Sequence, residues 1–163
     1  AFERRGKRLL EALRAARDGA FGRPLLLLRL ACSDEELGLS EELYAAVRLL
    51  GGQRALLVVV AAFQPRELCG AVRHARHPGL LFYLADSRVK QDGRVGPSVV
   101  AAVRFALDFA CEAARFGAAP ASLEEARSPL GQVASGRELQ ARLRAHDRWL
   151  YPSLEPAPGQ RQE

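Results

Sequence analysis

Three short apolar runs constrain this chain more than anything else in it: Leu25-Leu26-Leu27-Leu28, Ala55 to Ala62, and Leu80 to Leu84. Turn residues bound each run. They recur about every thirty residues, with helix-like sequence between them. None alternates apolar with polar, so each reads as a strand covered on both faces. Strands of that kind belong to parallel sheets built from strand–helix–strand units. The pattern predicts an α/β fold, a three-layer sandwich with a short, mostly parallel sheet and helices on both faces. The strands are expected near residues 25–31, 54–62 and 80–85. In such a sheet a site forms at the loops leaving the carboxyl ends of the strands.

The remaining elements follow from periodicity and punctuation. Phe2, Leu9, Leu10, Leu13 and Ala16 recur at helical spacing and predict a first helix ending near Gly19. Ser33-Asp34-Glu35-Glu36 has the form of a capping box, and Ser40-Glu41-Glu42 opens a second helix that Gly51-Gly52 closes. Pro65 suits the first turn of a helix carrying Leu68, Val72 and Ala75. Residues 86–96 are polar and charged. Asp92-Gly93 is a hairpin signal, so this segment reads either as a short return strand near 94–96 or as one loop. The longest helix is expected from Ser98 to Phe116, with Val99, Val103, Leu107, Ala110 and Ala114 as its buried stripe. Residues 118–136 read as loop with one helical turn at 123–126, and Arg137 to Leu150 as a last helix.

A length of 163 residues suits one domain. Such a chain buries about 70% of its unfolded surface and needs no disulfide or metal to hold it. Cys32, Cys69 and Cys111 are odd in number and far apart. They read as reduced, small buried side chains, which suits an intracellular setting, cytoplasmic or nuclear. The first stretch, Phe2 to Ala20, is amphipathic and Arg-rich, but Glu3, Glu11 and Asp18 argue against a transit peptide. No run approaches the ~20 apolar residues of a membrane span. The chain opens on Ala1, and residues 152–163 are rich in Pro, Gln and Glu. The expected organisation is one domain over 1–151 and a linker-like tail over 152–163, within a larger protein.

The net charge of +5 does not by itself indicate nucleic acid. Ile, Met, Asn and Thr are absent, and Lys7 and Lys90 are the only lysines. A GC-rich coding sequence accounts for that bias and for the arginines. The arginines are scattered and interleaved with Glu, whereas nucleic-acid binding wants them gathered on one face. A protein partner is therefore expected ahead of nucleic acid, and no membrane.

Neither a Gly-x-x-x-x-Gly-Lys loop nor a Gly-x-Gly-x-x-Gly turn follows any strand, so nucleotide and dinucleotide cofactors are not expected. On a helix, His74 and His77 would share a face. Cys69 would lie about 140° away from His74, so no metal site is expected. The chemistry that remains clusters at the predicted strand ends. Cys32, Ser33, Asp34 and Asp86 are the catalytic candidates. A thiol at a helix amino end is a potential nucleophile, and an acid past a strand end is a potential base, but no histidine is placed to complete a relay. Ser87, Arg88, Lys90 and Arg94 are the ligand-binding candidates, because arginine and lysine in a loop suit a phosphate or carboxylate. Near the carboxyl end, Trp149 and Tyr151 read as core or as interface. Two function classes follow. The first is a non-catalytic interaction or regulatory domain. The second is a small enzyme or anion sensor built from the strand-end loops.

Overall fold

A computed structural model describes residues 2–18, 25–31, 33–86, 97–116 and 127–146. Its elements are α1 (Phe2–Arg17), β1 (Leu26–Ala31), α2 (Asp34–Gly38), α3 (Ser40–Gly51), β2 (Leu56–Ala61), a 3-10 turn (Arg66–Leu68), β3 (Gly70–His74), β4 (Leu80–Leu84), α4 (Pro97–Phe116), β5 (Arg127–Val133) and α5 (Gly136–Arg144). The five strands form one sheet in the order β1-β2-β4-β3-β5. β1, β2 and β4 run parallel; β3 is antiparallel to β4, and β5 is parallel to β3. The α/β class and the mostly parallel sheet are as the apolar runs predict.

β2 shows why. All six of its residues are buried. Leu57, Val59 and Ala61 pack on one face with Leu37 and Tyr44 of α2 and α3 and with Leu139 and Leu143 of α5. Leu56, Val58 and Val60 pack on the other with Ala102, Phe105, Ala106 and Phe109 of α4. β-branched valines fit this pleated, doubly covered position. Among the described residues no helix is long and apolar enough to cross a membrane.

Four expectations are corrected. β1 is an edge strand, with Leu28 exposed and the Arg29 guanidinium donating to Glu36 at 2.8 Å. An apolar run alone does not tell an edge from a centre, and a charged side chain on the edge discourages further pairing. The helix expected after Pro65 is a single 3-10 turn followed by β3. Leu68 and Val72 do face one core, but across a turn and a strand. Gly70, at φ 128°, lies outside the helical region, and β3 is held by pairing with β4. The loop expected over 118–136 contains β5 at 127–133. Pro129 and Gly131 (φ 64°) disguise it, and edge strands tolerate both; between the Ala71 and Arg73 pairings the register shifts, as at a bulge. Finally, α4 buries Val99, Ala102, Phe105, Ala106 and Phe109, while Val103 and Leu107 are exposed. The large phenyl rings decide which side faces the sheet; Phe105 stacks with Phe109 and leans on Tyr83.

Helix starts also differ from expectation. Ser33 stands at the α2 cap with no side-chain cap bond. The working cap is at α5. Ser135 Oγ accepts from Glu138 N–H at 3.0 Å, and Glu138 accepts from Ala134 N–H at 2.6 Å. The return strand near 94–96, residues 147–150 of the expected last helix, and the tail lie outside the described residues.

Candidate functional site

At the carboxyl ends of β1, β2 and β4 the structure places Ser33 and Asp34 after β1 and Asp86 after β4. β2 lies between, so the two groups stand two strand spacings apart, about 10 Å. Cys32, Ser87, Arg88, Lys90 and Arg94 lie outside the described residues. The charge of Asp86 is felt by Cys69 and Tyr83. Burial first, then the charges of Asp86 and Glu67, push the Cys69 thiol up to about 11, with Arg66 opposing. Cys69 therefore stays protonated and donates to Pro65 O at 3.5 Å. Between the two groups runs the β2 exit. Phe63 adopts φ 63°, and the buried Gln64 donates to Ala62 O at 2.7 Å while its Oε1 has no partner among the described residues.

The organised cluster is at the opposite end of the sheet. β3 and β5 end there, β2 and β4 begin there, and α5 starts beside them. In α3, Glu41, Tyr44, Ala45 and Arg48 share one face at three- and four-residue spacing. The β3–β4 turn brings His74 and His77 against that face. The His74 side chain is completely buried. Its Nδ1 accepts the backbone N–H groups of Arg76 and His77, both at 3.2 Å. That pattern assigns the proton to Nε2, which donates to Glu41 Oε1 at 3.3 Å. The same oxygen accepts the Gly136 N–H at 2.9 Å. One carboxylate thus ties α3, the hairpin turn and the start of α5 together.

The other groups form the wall of a cavity of about 450 Å³, lined by Glu41, Tyr44, Ala45, Arg48, Leu49, Gln53 and His77. The His77 ring lies 4.6 Å from that of His74 and 5.5 Å from that of Tyr44, centre to centre. The Arg48 guanidinium sits 5.8 Å from the Tyr44 ring centre, a cation–π distance. Its Nε is buried without a hydrogen-bond partner among the described residues. Gly79 passes so close to the Tyr44 hydroxyl that a Cβ there would collide with it.

Electrostatics assign the resting charges. Burial raises the Glu41 carboxyl, but hydrogen bonds from Gly136, its own N–H, His74 and Ser40 outweigh it and hold it below its ordinary value. His77 is lowered by burial, then by His74 and Arg76, with Arg48 adding and Glu41 opposing. Tyr44 is raised by burial against the charge of Arg48 and the Gly79 N–H. At neutral pH the wall is therefore Glu41 anionic, His77 neutral, Tyr44 protonated and Arg48 cationic. Both lowered groups link stability to pH in one direction. The unfolded chain binds protons at His77 and Glu41 more readily than the folded one, so acid favours unfolding. Between the ordinary histidine value of 6.5 and the ordinary cysteine value of 9.0 the melting temperature is expected to be level. It should decline as pH falls through the window below the histidine value, and again below the ordinary carboxyl value of 4.5. Thermal melts across pH should show the first decline reduced in His77→Gln; a flat profile from pH 7 to about pH 5 would contradict the assignment.

The sequence reading missed this site because it joins residues far apart in the chain. The pairing of His74 with His77 was visible, but it arises through a hairpin and not a helix face. Among the described residues no group of three His, Cys, Asp or Glu side chains could hold a metal ion. In comparisons with known proteins the chain matches no family model, no curated protein and no solved structure.

Proposed function

We propose that this chain is a non-catalytic regulatory domain that binds a small organic anion, carrying a carboxylate or phosphate group, in the cavity between α3 and the β3–β4 turn. The observation that carries the reading is Arg48. Its guanidinium faces the cavity beside Tyr44, with Nε unpaired. A buried donor without a partner costs free energy that an incoming acceptor removes, and guanidinium suits oxyanions by its fork geometry. The volume of about 450 Å³ lies within the range of small-molecule sites. Glu41 lines the cavity too, but its Oε1 already receives His74 and Gly136, so Arg48 is the charge proposed to meet a ligand.

The non-catalytic reading rests on the same bonds. His74 spends both ring nitrogens on structure, so its ring has no lone pair left to act as a base. A ligand here would join α3 to the hairpin turn, and its binding would stabilise the folded chain by mass action.

Calorimetric titration and thermal melts with inorganic phosphate, pyrophosphate and succinate test the reading and separate the two oxyanion types. At least one probe should bind and raise the melting temperature. Arg48→Ala should weaken that probe by about 10- to 100-fold, as for loss of a charged hydrogen bond, without lowering the melting temperature of the free protein much. Binding that Arg48→Ala leaves unchanged, or no response to any probe at millimolar concentration, would overturn it.

A further inference from the structure

From the anion site proposed above, on which this step rests, we infer that the ligand is a phosphate monoester, held as a dianion between Arg48 and a His77 that gains a proton as it binds. Arg48 and His77 both line the cavity, and both stand against the Tyr44 ring, at 5.8 Å and 5.5 Å from its centre. The His77 backbone N–H is bonded to His74 Nδ1, but among the described residues its ring nitrogens have no hydrogen-bond partner. A carboxylate presents two oxygens along one edge, and a single guanidinium fork satisfies both. A phosphoryl group presents three oxygens in a tetrahedral array, so an acceptor is left for a second donor. The His77 ring supplies that donor from the turn side of the cavity. At about 450 Å³ the cavity is also larger than one tetrahedral ion, and Ala45, Leu49 and the Tyr44 ring offer surface to an organic group.

Charge favours the same ligand. Among the described residues the charged and titratable groups facing His77 are Glu41, Tyr44 and Arg48 on α3, with His74 and Arg76 in its own turn. Before a ligand arrives, the wall carries one anion, Glu41, and one cation, Arg48, which offset each other. A dianion there favours any change that adds positive charge. His74 cannot add it, because both of its ring nitrogens are engaged. Glu41 cannot take a proton on Oε1 without releasing His74 or Gly136. His77 can take one on a nitrogen that no described group uses. Burial first, then His74 and Arg76, keep the ring neutral in the free protein, with Arg48 adding and Glu41 opposing. A dianion beside the ring shifts that balance toward imidazolium. Proton and ligand then strengthen each other's binding by the same factor.

Titration calorimetry of the full chain tests it, with methyl phosphate and acetate at about pH 8 and with sulfate from about pH 8 to about pH 6. Sulfate stays a dianion throughout. Methyl phosphate and sulfate should both bind, about 10-fold or more tightly than acetate. Sulfate affinity should rise about 3- to 10-fold as pH falls, and buffers of different ionisation heat should show uptake of up to about one proton. His77→Gln should abolish the rise and the uptake, yet leave binding that Arg48→Ala still weakens. His77→Lys, a fixed cation, should bind sulfate with no such rise. Thermal melts check that each variant is folded. Sulfate affinity that is flat over this range, proton uptake that survives His77→Gln, methyl phosphate rejected where sulfate binds, or acetate as tight as methyl phosphate would each overturn the proposal and leave the anion site standing. Binding of no oxyanion at all would refute the site and the proposal together.

Discussion

Val59→Asp is expected to leave the chain unfolded at room temperature. Val59 is 1% exposed at the centre of β2, with β1 on one side and β4 on the other. Its register partners are Arg29 and Phe82, and its face is filled by Leu57, Ala61, Leu80, Phe82 and Leu84. Arg29, the cation among those neighbours, is half exposed and already pairs with Glu36 at 2.8 Å. An unpaired carboxylate there costs several kcal/mol even after the group protonates, and the total stability of a domain is only about 5–15 kcal/mol. Val59→Ala, which only removes methyl groups, should cost about 2 kcal/mol and keep the cooperative melt. Circular dichroism and denaturant titration separate the cases. A Val59→Asp protein that melts like the parent would place β2 elsewhere.

Gly136→Ala is expected to be the most damaging of the conservative changes. A Cβ at this position would run into the carbonyl oxygen of Leu37 and the Ser40 hydroxyl. That carbonyl already accepts the Ser40 hydroxyl at 2.7 Å, and the junction of α2 and α3 gives it no room to retreat. α5 must therefore move away. The Gly136 N–H then leaves Glu41, and the carboxylate that holds His74 loses one of its donors. Overpacking costs about 1–3 kcal/mol, and an orphaned buried group a similar amount. A total of about 4 kcal/mol should lower the melting temperature by about 8–16 °C. Gly38→Ala is the matched control: a Cβ there meets only side-chain atoms of Arg137 and Gln140, the nearest at 3.5 Å. It should change stability by less than about 1 kcal/mol. Equal effects of the two substitutions would remove the close approach of α5 as the cause.

The parts of the fold that were legible in the sequence are those where burial alone dictates the residues. β2 has no polar alternation because both of its faces are covered, and that follows from six apolar positions in a row. β3 and β5 were not legible, for different reasons. β3 is five residues long, begins on Gly70 and ends on Arg73 and His74, so its apolar content is too small to show a period of two. β5 carries a proline and a positive-φ glycine, both signals of loop, and stands because Ser128 donates to Leu68 O at 2.6 Å and β3 supplies a ladder. In α4 the apolar residues lie on two sides, and periodicity could not say which side the sheet takes. The tie of Glu41 to His74 and Gly136 spans separations of 33 and 95 residues. No local pattern encodes such a meeting; it follows from the topology that brings the end of β3 and the start of α5 to one edge. Of the strand-end candidates, Ser33, Asp34 and Asp86 fall where strand order puts them, with β2 between.

The strand order also sets a sequence of events in folding. β3 and β4 are sheet neighbours joined by a short turn, so their pairing closes a small loop. β5 reaches β3 only after the chain has returned from the far end of α4, a closure that costs about 3–4 kcal/mol in chain entropy before any ladder bond forms. Local pairs form first and distant ones last. During each folding event, and in each partial opening from the native state, the outer edge of β3 is therefore the last backbone to be covered and the first to be bared. Its unpaired amides are a template for any extended segment that arrives before β5 does.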